Sequence, residues 1–333
     1  MSITIIKQGL FDTIQDAGRY GHQHLGINPG GVMDDVAASI ANMLVGNKLH
    51  EPVIEIHFPA PVIQFNEPCI IALCGADFTA AINEEAIPLR TAIVVGAATQ
   101  LSFKQHKKGA RCYLAVHGGW KATNWLNSYS TNTKLKAGGF EGRPLKKNDV
   151  VHFNKQQPVA TMTRPSFILT PVKTNIANFY ISTNIIRCLK GNQYEWLDEH
   201  SKHNFQSASF KIGVQSDRMG YHLTSNTLRS TEQKQLLSSA VTKGAIQLLP
   251  GGDLILLMSD HQTTGGYPII AHAISADMPS LAQMQPGSAI QFSFISLQEA
   301  ENLYISQQQN LLRLYDACTL QFNKFLNDDF HRP

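Results

Sequence analysis

No stretch of this sequence is apolar for the roughly 18 residues that a membrane-spanning helix needs. Its start, MSITIIKQGL, also lacks the charged segment followed by a long apolar run that marks a secretory leader. A membrane is therefore not among the expected partners, and the cytoplasm is the expected compartment. Charge of one sign is equally scarce: 28 Lys and Arg stand against 25 Asp and Glu, for a net charge of +3. No block of five like charges is present to track a phosphate backbone, so nucleic acid is not expected either. The five cysteines, Cys69, Cys74, Cys112, Cys188 and Cys318, are odd in number, unrelated in spacing and mostly set in apolar runs. They read as reduced core thiols rather than as a disulfide or zinc framework. HExxH, GxSxG and CxxC are all missing, and the pairs His22/His24 and His200/His203 lack a third ligand at a recognised spacing, so no metal is expected. Lys121 follows Gly118 and Gly119 without the GxxxxGK[ST] spacing of a phosphate-binding loop. No lysine lies in the Met-Lys-Met context of a biotin carrier.

What is present suits a soluble globular chain: 333 residues, 43% apolar and 16% charged, long enough for two domains or one large one. Short β-branched or aromatic runs bounded by Gly, Pro or Asn predict strands at VIQFN (62–66), CIIALCG (69–75), TAIVVG (91–96), CYLAVHGG (112–119), FYIST (179–183) and DLILLMS (253–259). VVGAATQLSF, LKKNDVVHF and MQPGSAIQF each carry a turn into alternating residues and close on Phe103, Phe153 or Phe292, which suggests repeated turn-and-strand units of barrel lobes. After Met33, Val36, Ala37, Ile40, Ala41 and Leu44 share a helical face, with Asp34 as N-cap and Gly46 as C-cap. Ser296 and Glu299 have capping-box spacing before a long amphipathic pattern through Ala300, Leu303, Tyr304, Leu311, Leu314 and Tyr315. Residues 230–240 form a third helix candidate, and the aperiodic, proline-bearing stretch 154–167 reads as a linker. The expected fold is mainly β with a few helices, an α+β chain of two β-barrel lobes. Residues 1–160 form the first, and 161–333 form the second with its long C-terminal helix.

Four polar, glycine-bearing stretches are candidates for function. In residues 11–35, Gly18, Gly21, Gly26, Gly30 and Gly31 admit close backbone approach, while Gln15, Asp16, Arg19 and His24 supply donors and acceptors ahead of a helix N-terminus. A tight turn system with satisfied caps would look the same. HGGW (117–120) with residues 127–143 combines hydroxyls, the pair Gly138-Gly139 and Arg143. QSDRMGYHL (215–223) sets Asp217 and Arg218 beside a turn, where an Asp–Arg pair is commonly a solvated face. In SDHQTTGGYPIIAHAI (259–274), Gln262, Thr263 and Thr264 offer an amide and two hydroxyls, and Gly265 and Gly266 offer backbone N–H groups. Such a set holds a carbonyl or carboxylate ligand without a titrating nucleophile. A buried, satisfied turn is the alternative.

GLFDTIQDAGRYGHQHLGINPGGVMDDVAASIANMLVGN, GGFEGRPLKKNDVV, QSDRMGYHL and DHQTTGGYPIIAHAISADMPSLAQMQPG stand in this order between about residues 8 and 295. Together they resemble the allophanate hydrolase subunit 2 family, also called the KipA-type or biotin-dependent carboxyltransferase family, whose bacterial members include the C subunit of 5-oxoprolinase. The resemblance implies a cyclophilin-like β-barrel architecture and work beside a subunit 1-type partner, a homologue of the 5-oxoprolinase B subunit. A LamB/YcsF-type protein, the A subunit, would complete the complex. It implies ATP-dependent opening of 5-oxoproline to glutamate, with ATP used by the assembled complex and no covalently bound cofactor. The alternatives are the carboxyltransferase of a urea carboxylase-type system, where biotin enters, and a KipA-type regulatory protein that binds a kinase inhibitor. The site then comprises Gln262, Thr263, Thr264 and Asp217 as catalytic candidates. Gln15, Arg19, Gly30, Met33, Asp34, Gly139, Arg143, Arg218, Gly265, Gly266 and Tyr267 are the substrate-binding candidates. Two positions depart from the pattern: Asn127-Ser128-Tyr129-Ser130-Thr131 replaces an expected Gly-Ser-Arg-Ser-Thr, and His261 stands where arginine is expected.

Overall fold

The computed structural model describes residues 1–154, 166–232, 234 and 236–330. The chain forms two compact units, one of Met1–Gly18, Asp34–Ile176 and Asn310–Pro333, the other of Arg19–Met33 and Ala177–Gln309. The chain passes between the units after residues 18, 33, 176 and 309. Of the expected linker, residues 155–165 lie outside the described residues.

The first unit is built from two six-stranded sheets. One runs β11 (Val150–His152), β1 (Ser2–Lys7), β4 (Val62–Phe65), β9 (Thr99–Phe103), β6 (Ala80–Ile82) and β7 (Glu85–Ala86). The other runs β12 (Phe167–Lys173), β8 (Thr91–Val95), β5 (Cys69–Asp77), β10 (Lys108–Val116), β3 (Val53–Ile56) and β2 (Thr13–Gln15). Because side chains alternate along a strand, Ile3, Ile5 and Phe65 from the first sheet and Ile71, Leu73 and Leu114 from the second enter one core. Ile70, Ala72 and Cys74, on the other face of β5, are buried as well, and α1 (Asp35–Leu44) packs on β5 and β10. Burial on both faces explains why CIIALCG reads as an unbroken apolar run. Asp34 caps α1 as expected, its Oδ1 accepting from the Ala37 N–H at 2.9 Å. The C-cap is Val45, and Gly46 follows at a φ of 68°, with the Phe322 ring packed where a side chain would stand.

The second unit closes into a seven-stranded barrel. Its order is β13 (Ile185–Lys190), β20 (Ile269–Ala273), β17 (Ala245–Leu248), β18 (Leu254–Leu257), β15 (Gly220–Thr224), β14 (Phe210–Ile212) and β21 (Ala289–Phe294), the last returning parallel to β13. Phe205 of α2 (Glu199–Ser207) stacks on Phe292 with ring centroids 4.8 Å apart, adding aromatic burial to the core. A two-residue ribbon, β16 (Ser239–Ala240) with β19 (Thr264–Gly265), lies outside the barrel sheet, and α3 (Met278–Ala282) precedes β21.

Two expected elements differ. FYIST is not a strand: Phe179 ends a 3-10 turn, and the Ile181 N–H donates to the Ser280 hydroxyl at 2.9 Å, so it is unavailable to a ladder. Residues 230–240 are not helical where described. The Ser230 hydroxyl bonds the Glu232 backbone, and the Thr231 N–H donates to the Trp196 carbonyl at 2.7 Å, competing with helical pairing. The long helix α4 (Leu297–Phe330) begins at the expected capping box, the Glu299 carboxylate accepting from the Ser296 N–H at 2.8 Å and the Ser296 hydroxyl from the Glu299 N–H at 3.2 Å. Ala300, Leu311, Cys318 and Phe322 are buried on it, whereas Tyr304, Ile305 and Leu312 are exposed. All five cysteines are buried free thiols; burial pushes Cys74 and Cys188 up to about 12. No described helix is long and apolar enough to cross a membrane.

Candidate functional site

In the first unit, Asp16 organises the 128–131 turn. Its Oδ1 accepts from the Gly18 N–H at 2.8 Å and the hydroxyls of Ser128 at 2.6 Å and Ser130 at 2.5 Å, and its Oδ2 accepts from the Tyr129 N–H at 2.6 Å. Beside it on β2, Gln15 is buried and donates through Nε2 to the Thr13 hydroxyl at 3.0 Å and the Thr131 carbonyl at 3.4 Å. Gln15 Oε1 has no partner among the described residues. Gly139 abuts this turn: its φ is 57°, and a Cβ there would collide with the Thr131 hydroxyl. Gln15, Thr131 and Gly139 are thus brought together. Two other candidates are held in structural bonds. Besides capping α1, Asp34 donates its N–H to the Tyr113 hydroxyl at 2.9 Å, which in turn donates to Glu55 at 2.9 Å. Arg143 forks onto Asp149 at 2.7 and 3.0 Å and also binds Glu141.

In the second unit, the glycine loop is held by side chains from the barrel strands and their loops. Gly30 and Gly31 have φ of 64° and 91°, conformations that favour glycine, and the Arg19 N–H closes the loop on the Pro29 carbonyl at 2.7 Å. Three successive carbonyls then face donors: Gly31 accepts from Arg218 Nη2 at 2.6 Å, Val32 from the Ser259 hydroxyl at 3.0 Å, and Met33 from Lys243 Nζ at 3.1 Å. Arg218 is buried and pairs bidentately with Asp260, at 2.8 and 3.1 Å, rather than sharing a solvated face with Asp217. Asp217 is exposed and accepts from the Met219 N–H at 2.7 Å, tightening its own turn. Donors to these carbonyls and a fixed ion pair therefore hold the 259–260 end of the polar stretch against the 30–33 loop.

Beyond that anchor, His261 is buried with Nδ1 2.6 Å from the Gln262 carbonyl. Burial holds its imidazole below the usual range, with Lys243 acting in the same direction, so the position supplies no fixed positive charge near pH 7. Gln262 Nε2 donates to Gln247 Oε1 at 3.3 Å, and the Thr263 carbonyl accepts from the Val241 N–H at 3.1 Å. Thr264 and Tyr267 are exposed. Neither Gly265 nor Gly266 has a positive φ, so close approach rather than conformation is their distinguishing property.

Two residues escape a reading of the sequence alone. Gln247 is wholly buried, and its Nε2 has no partner among the described residues. The signal is a single amide inside the apolar strand AIQLL. Asp12 is also buried, accepting from the N–H groups of Gly9 at 3.0 Å and His57 at 3.2 Å. Burial pushes its carboxyl up to about 7 against the opposing pull of those two N–H groups. Among the described residues no three His, Cys, Asp or Glu side chains gather to hold a metal.

Residues 25–294 match the family model of the carboxyltransferase domain, subdomain A and B. The chain is 36% identical to the C subunit of 5-oxoprolinase from Escherichia coli over 92% of its own length and 96% of the relative's. Identity to the protein of the same name in Haemophilus influenzae is 33%, over 87% and 90%. Among solved structures, the K. lactis urea amidolyase superposes with a TM-score of 0.84 at 26% identity, covering 94% of this chain and 20% of that one.

Proposed function

Because the chain belongs to the family of carboxyltransferase domains, subdomains A and B, we propose that it serves as the C subunit of an ATP-dependent 5-oxoprolinase, beside a B-type partner and a LamB/YcsF-type partner of the A kind. One observation carries this reading: the match to the Escherichia coli protein runs nearly end to end in both chains, 92% and 96%. The urea amidolyase match occupies only a fifth of a much larger protein.

The chemistry of the polar stretches supports a holding rather than an attacking role. 5-Oxoproline presents a lactam carbonyl, a lactam N–H and a carboxylate, each a hydrogen-bonding group. Ring opening adds water across the lactam C–N bond, the carbon taking the hydroxyl and the nitrogen the proton. Gln262 and the backbone at Gly265 and Gly266 offer donors of the kind a carbonyl needs. A site completed by partner subunits leaves this chain without turnover alone, because orientation of reacting groups is worth about 7–11 kcal/mol of a barrier.

The test is glutamate release from 5-oxoproline and ATP by the purified chain, alone and with both partners. Activity only in the full assembly is expected. Full activity from the single chain, or none from the assembly, refutes the reading. The fold match to a urea amidolyase favours a second reading, carboxyl transfer from carboxybiotin to urea; carboxyl transfer to urea by the complex, with 5-oxoproline inert, would favour it.

A further inference from the structure

The two sheets of the first unit end in four edge strands, and these are not alike. β2 and β11 have three residues each and β7 has two, whereas β12 has seven. Short edges and edge charges keep a sheet from pairing with other chains. The first four residues of β12, Phe167-Ile168-Leu169-Thr170, carry no charge and suit a strand. Ile168 is 55% exposed and Leu169 48%, so this edge leaves apolar surface uncovered.

Its backbone offers a defined set of bonds. The Gly96 N–H donates to the Ser166 carbonyl at 2.9 Å, and the register sets Phe167 opposite Val95 and Ile168 opposite Val94. Bonded pairs alternate along an antiparallel ladder, so Ser166 and Ile168 face β8, while the N–H and C=O groups of Phe167 and Leu169 face away from it. No strand pairs with that side among the described residues. Beyond Leu169 the register with β8 shifts, and Pro171 has no N–H to offer. The described outward ladder therefore runs from Phe167 to Leu169 and is symmetric about Ile168.

We propose that β12 pairs antiparallel with β12 of a second copy of this chain, about a two-fold axis at Ile168. In that register Phe167 of each copy lies opposite Leu169 of the other, and each such pair exchanges both of its N–H and C=O groups. Ile168 meets Ile168 of the second copy as a non-hydrogen-bonded pair, the closer kind, and is covered by it. On the other face the Phe167 ring of one copy covers Leu169 of the other. An isologous contact brings any charge near the axis against its like; residues 166–170 have none, and Lys173 lies outside the ladder. A longer strand from another protein would set a carbonyl opposite Pro171, which cannot satisfy it. So short a contact lies near or below the roughly 1,200 Å² of a stable complex, so the dimer forms with rising concentration. The inference does not depend on the 5-oxoprolinase reading.

The experiment is sedimentation velocity of the purified full chain, from low micromolar to several hundred micromolar. Wild type is expected to pass from monomer to dimer across that range. Ile168→Lys and Ile168→Glu each set like charges against one another at the axis, so each should stay monomeric, with a melting temperature unchanged because the side chain is exposed. An equimolar mixture of the two variants should dimerise again, since opposite charges then meet. This mixture separates loss of the contact from damage to the fold. Wild type that stays monomeric throughout overturns the proposal, as do single variants that still dimerise or a mixture that does not. If wild type instead binds a B-type partner and Ile168→Lys abolishes that complex, the edge belongs to a different protein and the proposal fails.

Discussion

Alanine at Gly265 and alanine at Gly266 should behave very differently, although the two glycines are adjacent and neither has a positive φ. At Gly265 the new Cβ would stand 2.7 Å from Gln247 Nε2 and 3.2 Å from Val241 Cγ1. The obstructing nitrogen ends a flexible side chain, so it can turn away, but only by giving up the hydrogen bond from Gln262, worth about 1 kcal/mol. It must then crowd a buried apolar cluster, and overpacking of that kind costs about 1–3 kcal/mol. A loss of about 2 kcal/mol is expected for Gly265→Ala, or about 4–8 °C in melting temperature for a unit of this size. At Gly266 the nearest atoms are the Leu236 carbonyl at 3.2 Å and the Ser238 hydroxyl at 3.5 Å, so Gly266→Ala should cost about 0.5 kcal/mol, as an ordinary surface substitution does. Calorimetric melts of both variants, and of Gly265→Ala combined with Gln247→Ala, decide the matter. Removing the obstructing amide should make the second change cheaper in the double variant than alone. An equal or larger loss at Gly266, or simple additivity in the double variant, would show that Gln247 does not face Gly265.

Three further outcomes follow from the geometry. The Asp12 carboxyl is raised to about 7, so the folded chain keeps a proton that the unfolded chain releases above its usual 3.8. This contribution to stability is complete below about pH 4 and is lost as pH rises through 7, so Asp12→Asn should gain on wild type by up to about 4 kcal/mol between those limits in urea denaturation; parallel curves would refute it. Arg218→Leu should cost about 2–3 kcal/mol, below the 3–5 typical of a fully buried pair because the Asp260 side chain is 25% exposed. Adding Asp260→Ala should then cost little more, and independent, additive losses would contradict the pairing. Gly142 has a φ of 63° and the Lys136–Ala137 backbone where a Cβ would stand. Gly142→Ala should therefore lose at least about 3 kcal/mol and most of its soluble yield, and a near-normal melt would place that backbone elsewhere.

Features written in local chemistry are readable in the sequence. Asp34 before α1 and the Ser296–Glu299 box before α4 lie within one turn of the N–H groups they satisfy, so a short window of sequence contains the whole interaction. CIIALCG is readable because burial on both faces leaves an unbroken apolar run. Residues 230–240 mislead because their backbone bonds go to Trp196 and to Thr264 and Gly265, partners that no local window includes. For the same reason Arg218 pairs by eye with Asp217, its neighbour in sequence, when its carboxylate is Asp260, forty-two positions on. Gln247 escapes notice because a lone glutamine in a strand is ordinary until its burial is known. Of the site candidates, Arg143, which is held in an ion pair, looks no different in sequence from Gln15, whose hydrogen-bonding capacity is unmet among the described residues.

Neither unit is a continuous length of chain, and this has a consequence for biosynthesis. When residues 34–176 leave the ribosome, the first unit still lacks the later half of α4, so the face of Gly46 and His117 waits for Phe322 until almost everything else has been made. Residues 19–33 emerge early but belong with strands translated well over a hundred residues later, leaving Met33 without its apolar surroundings meanwhile. Release of a nascent chain before α4 is complete should therefore give a species that chaperones bind and proteases cut. Dividing the gene between residues 176 and 177 should yield two fragments, neither of which holds all the residues of one unit.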